Sequence, residues 1–103
     1  MNMIIVYLTC ANDSEAERIS NLLLDKKLIA CAKKLSIESA FWWDGKKDKA
    51  GEFLVMFETI DEKFEEIEKE VISVHSYETP MLFALPVIKT TQLVEKWLGE
   101  VMK

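Results

Sequence analysis

The 103-residue chain has little of what binding and catalytic signatures are built from: one histidine, two cysteines, three glycines and two prolines. Gly45, Gly51 and Gly99 lie too far apart to cradle a phosphate. Cys10 and Cys31 lack CxxC spacing, which leaves a disulfide, a zinc site and a thioredoxin-type centre all poorly supported. Each cysteine falls among apolar neighbours on a predicted strand, where it acts as a small buried hydrophobe. There is no GxSxG sequence and no base predicted beside Cys31, so no enzyme is expected. No apolar run approaches the roughly 18 residues of a membrane span, and no charged-then-apolar leader opens the chain. The cytoplasm is the expected location. A net charge of −5 and a pI near 4.9 argue against a nucleic-acid surface.

What the chain does have is a long hairpin, roughly Leu28 to Thr59. Its first arm runs to Phe41-Trp42-Trp43 and its second contains Glu52 to Thr59. Asp44-Gly45 turns the chain cheaply, because glycine accepts positive φ and aspartate bonds its own backbone. Cys31, Leu35, Ile37, Phe41 and Trp43 share one face of the first arm by alternation, and Phe53, Val55 and Phe57 share one face of the second. An arm of about fifteen residues at roughly 3.3 Å each outreaches a small domain. Its distal part is expected to pair with another subunit.

Around the hairpin the order is β-α-β-β-α-β plus a terminal helix, read as one domain over residues 1–103. Met3 to Leu8 is a continuous apolar strand. Ser14 with Glu17, and Thr59 with Glu62, match capping boxes that open the two main helices. A last strand is expected over Met81 to Ile88, at a sheet edge because Pro86 has no amide hydrogen. This is an α+β, ferredoxin-like βαββαβ arrangement with a long hairpin and a C-terminal helix. Right-handed crossovers put both main helices on one sheet face. The other face, with Leu54 and Met56, is left bare, and a bare apolar face calls for self-association.

Leu28-Ile29-Ala30-Cys31-Ala32, Phe41-Trp42-Trp43-Asp44-Gly45-Lys46 and His75-Ser76-Tyr77-Glu78-Thr79-Pro80 resemble the CutA family of divalent-cation-tolerance proteins. Leu85-Pro86-Val87 and Trp97-Leu98 follow in order and spacing. The resemblance implies a cytoplasmic homotrimer that responds to copper and other divalent metal ions, with no enzyme reaction. Ser76 stands where members usually have proline, and Met81 where they often have glutamate. Leu8 and Val74 align with a cysteine and a second histidine of some members. His75 is then the candidate ligand for weakly bound copper or another divalent cation, completed by Glu78, Cys10 or Cys31. The plainer account makes His75 a cap on the second helix.

Tyr77, Lys33, Lys34 and Trp43 are candidates for a cleft that takes a small anionic ligand or a partner protein, the alternative function. Phe41, Trp42, Trp43 and Val55 are the expected trimer interface, since tryptophan supplies a large apolar area. Glu52 and Glu58 could pair with Lys33 or Lys34 across the hairpin.

Overall fold

The computed structural model describes residues 2–103. Four antiparallel strands form one sheet in the order β2-β3-β1-β4: β1 Met3–Cys10, β2 Cys31–Trp43, β3 Lys46–Ile60 and β4 Leu82–Pro86. Three helices complete the chain: α1 Asp13–Asp25, α2 Phe64–Val74 and α3 Gln92–Val101. The fold is the expected α+β arrangement. The hairpin strands of 13 and 15 residues make the chain 45 Å long but only 26 Å by 21 Å across.

Asp44 (φ 51°) and Gly45 (φ 75°) both have positive φ, the requirement of a type I′ turn and the reason Asp-Gly suits it. The two-residue turn pairs Trp43 with Lys46 and fixes the register outward from there. It sets Val55 opposite Lys34 and Leu35 opposite Leu54. Odd positions of β3 therefore share a face with even positions of β2. Val55 and Phe57 are fully buried with Val6, Leu8, Ile19, Leu23, Ile67 and Val71, in the layer between sheet and helices. Val55 is thus a core residue of this chain and not the interface residue expected, because parity turns it toward α1 and α2.

The opposite face carries Tyr7, Leu35, Leu54, Met56, Phe83 and Leu85. The α3 helix covers one end of it, where Leu98 and Met102 bury Ile60 and pack with Met3. The remainder stays open, with Leu35, Phe83 and Leu85 each more than two-fifths exposed.

Local signals moved by a few residues. Asn12, not Ser14, caps α1, its side-chain oxygen accepting the Glu15 amide. Both Asn12/Glu15 and Ser14/Glu17 fit the pattern, and the earlier one wins. Thr59 remains in β3, where its buried hydroxyl donates to the Leu28 carbonyl. A 3₁₀ turn, Asp61–Lys63, intervenes before α2, which has no side-chain cap. The last strand is shorter than expected and does lie at an edge. Lys27 holds a left-handed conformation (φ 56°) after α1 while the Leu28 amide bonds back to the Leu23 carbonyl.

Candidate metal centre

Three elements meet where β1 ends, α1 begins and α2 gives way to β4. β1 delivers Cys10, the first turn of α1 delivers Glu15, and the residue after α2 is His75. One ligand atom from each lies within 4.8 Å of the others, the single such group of three among the described residues. Cys10 is fully buried, Glu15 is 3% exposed, and the His75 side chain has no exposed surface.

Glu15 is buried as an ion because backbone donors surround it. Its Oε1 accepts from the Ala11 amide at 3.0 Å and its Oε2 from the Ser76 amide at 2.8 Å. Arg18 stands 3.7 Å from Oε2. Burial raises the carboxyl's pKa, but the bonds from Ala11 and Ser76, with His75 nearby, outweigh it and leave it below the ordinary value. The same environment acts the other way on the thiol. Burial first, then the Glu15 charge, push Cys10 up to about 12, so it is protonated at neutral pH.

The His75 ring is committed at both nitrogens. The Tyr77 amide donates to Nδ1 at 3.0 Å, and an amide can only donate, so Nδ1 carries a lone pair. Nε2 must then carry the proton, which it gives to the Thr9 carbonyl at 2.9 Å. His75 does close α2 through its own backbone, its amide bonding the Val71 carbonyl. The side chain, however, reaches away from that helix end to β1, so it ties two elements together and leaves the helix dipole alone.

Next along the loop, the Tyr77 hydroxyl donates to Glu52 Oε2 at 2.5 Å, and the two rings His75 and Tyr77 lie 5.0 Å apart. Burial and then the Glu52 bond push the Tyr77 phenol upward. Glu52, in β3, is only 7% exposed. The loop is thereby fastened to the middle of the hairpin, where Glu52 stands opposite Ile37.

The structure therefore brings His75 together with Cys10 and Glu15, while Cys31 and Glu78 lie outside that group. The Cys31 sulfur instead sits 3.4 Å from the Lys33 ammonium. Lys33 pairs with Glu58 across the hairpin, as the spacing suggested, and Lys34 pairs with Asp13 and Glu17 of α1. These adjacent lysines point to opposite faces and are both neutralised, so they form no joint anion site. Phe41, Trp42 and Trp43 are exposed near the hairpin tip, Trp42 at 71%. Glu15 was missed from the sequence. Its only trace is a glutamate three residues after Asn12, because its second partner, Ser76, lies far along the chain.

The family model described as CutA1 divalent ion tolerance protein matches residues 4–101. The chain is 41% identical over 98 residues to the divalent-cation tolerance protein CutA of Archaeoglobus fulgidus, covering 95% of this chain and 96% of that protein. It is 39% identical over 98 residues to the protein of the same name from Thermotoga maritima, covering 95% and 97%. Among solved structures, the periplasmic divalent cation tolerance protein CutA from Archaeoglobus fulgidus superposes with a TM-score of 0.95 at 40% identity, covering 98% of this chain and 99% of that one. CutA1 from Oryza sativa gives 0.95 at 28% identity, covering 100% and 95%.

Proposed function

The chain belongs to the CutA1 divalent ion tolerance family, and from that premise we propose that it is a homotrimeric metal-responsive protein binding a soft or borderline divalent ion, copper among them, at Cys10, Glu15 and His75. The observation that carries this reading is the convergence of a thiol, a carboxylate and an imidazole within 4.8 Å. Sulfur and imidazole donors suit copper and zinc better than hard cations. Glu15 and His75 already have protein hydrogen-bond partners, so an ion would have to displace some of them. Taking it up requires the Cys10 proton to leave, so binding is weak at neutral pH. No catalytic step enters this function.

Assembly follows from the open sheet face. Tyr7 and Phe83 already stack edge-on there, 5.4 Å apart, and Leu35, Phe83 and Leu85 remain exposed beside them. With Phe41, Trp42 and Trp43 along the hairpin, they offer more apolar surface than a monomer of this size keeps in water. Closure into a ring would also cover the 13-residue β2 edge. Cys10 and Cys31 are unpaired thiols, which fits a reducing cytoplasm.

Calorimetric titration with copper in both oxidation states, beside His75→Ala and the milder Cys10→Ser, tests the site. Saturable binding at a fixed ratio per subunit, lost in both variants, is the expected result. Identical, non-saturating heats in all three would refute it. Light scattering at micromolar concentration should give a trimer, and a stable monomer would refute the assembly.

A further inference from the structure

The metal reading has a consequence for the loop that follows His75. A neutral imidazole has one N–H and one lone pair. Here the lone pair, on Nδ1, is taken by the Tyr77 amide, and the N–H, on Nε2, is given to the Thr9 carbonyl. A metal ion can reach the ring in two ways. Coordination at Nδ1 displaces the Tyr77 amide directly. Coordination at Nε2 moves the ring proton to Nδ1, where it confronts the Tyr77 N–H, donor against donor. Both routes break the same hydrogen bond.

Resting on that reading, we infer that metal uptake at His75 unlatches the Ser76–Pro80 loop and frees Tyr77 from Glu52, midway along the hairpin. Three bonds hold the loop here: Tyr77 amide to His75 Nδ1, Ser76 amide to Glu15 Oε2, and Tyr77 hydroxyl to Glu52 Oε2. Two of them end on residues of the proposed ligand set. The Glu15 oxygen that faces the ring is Oε1, 3.8 Å from Nε2 and bonded to the Ala11 amide, so the Ser76 amide keeps its hold on Oε2. The hydroxyl bond to Glu52 is carried by the same Tyr77 whose amide is displaced, on a loop whose Ser76, Glu78 and Thr79 are exposed, so it gives way with the amide bond. Occupancy of a buried centre thereby reaches β3, one of the two strands of the hairpin.

The coupling is reciprocal: what metal uptake loosens must, when loosened otherwise, favour metal uptake. Tyr77→Phe removes the hydroxyl bond to Glu52 but leaves every proposed ligand in place. It should bind the ion more tightly, by roughly three- to tenfold for one lost hydrogen bond.

The probe is Cd²⁺ alone, soft and redox-inert, so that no thiol is oxidised during the measurement. Hydrogen–deuterium exchange is followed in the peptide spanning Ser76 to Thr79, with and without saturating Cd²⁺, alongside calorimetry of the full-length wild type and Tyr77→Phe. Exchange in that peptide should rise about tenfold on Cd²⁺ binding, the change for loss of one backbone hydrogen bond, and Tyr77→Phe should show the tighter affinity. Saturable Cd²⁺ binding with unchanged loop exchange, or with equal affinities, overturns the unlatching and leaves the metal site standing. Absence of saturable binding in both proteins overturns the two together.

Discussion

Glu15→Ala should destabilise the subunit by about 3–5 kcal/mol, more than almost any surface change. The carboxylate is 3% exposed and accepts two backbone amides, from Ala11 and Ser76. Hydrogen bonds to a charged acceptor contribute about 1.5–3 kcal/mol each, and a buried donor left without a partner costs about as much. Alanine removes both acceptors, and water reaches the site poorly. Glu15→Gln keeps one acceptor oxygen but turns an NH₂ toward the other amide, and should cost about half as much.

Urea denaturation followed by circular dichroism, at one fixed protein concentration so that the proposed assembly contributes equally to each variant, reads the difference. With a slope of about 1.5 kcal/mol per molar, the alanine variant should lose about 2–3 M in midpoint. The pH dependence supplies an independent check. Glu15's folded-state pKa lies below its ordinary value of 4.5, so its contribution is complete above that value and is lost as pH falls through the lowered one. Wild type and Glu15→Gln should therefore converge in stability as the pH falls below Glu15's lowered folded-state value. An alanine variant within about 0.5 kcal/mol of wild type at pH 7 would refute the view that Glu15 fastens the loop to α1.

Four further outcomes are expected. Val55→Asp should unfold the subunit, costing about 4 kcal/mol or more by burying an unpaired charge. Leu35→Asp, on the open face, should lower the mass seen by light scattering while circular dichroism keeps the native spectrum. Lys27→Gly should stabilise by about 0.5–1 kcal/mol in urea, because only glycine takes φ 56° without a steric penalty. Apparent Cd²⁺ affinity should rise about tenfold per pH unit from pH 6 to 8, since the Cys10 proton, held up to about pH 12, must be released. A flat calorimetric profile would mean that the thiol is not a ligand.

The hairpin and the bare sheet face were legible in the sequence because they rest on period-two alternation over many residues, and the order of elements because apolar runs and capping patterns mark each one. The side on which Val55 faces was also there to be read. A two-residue Asp44-Gly45 turn pairs Trp43 with Lys46, and counting back from that pair sets Val55 opposite Lys34. Treating each arm by itself misses this shift of parity. The α1 cap was ambiguous because Asn12 and Ser14 both have a glutamate three residues on. The centre itself was half legible. A lone histidine marks His75, but its neighbours come from β1 and α1, and no local pattern states that Cys10 and Glu15 will meet it. Buried charge is satisfied by contacts between distant segments, and such contacts leave no periodicity.

The most direct test of the account is which cysteine holds the ion. Cd²⁺ bound to a thiolate gives an ultraviolet charge-transfer band, which can be titrated in wild type, Cys10→Ser and Cys31→Ser. The account predicts a saturable band in wild type and Cys31→Ser and its loss in Cys10→Ser. A band that survives in Cys10→Ser and vanishes in Cys31→Ser would contradict it and move the site to the Lys33 side of the hairpin.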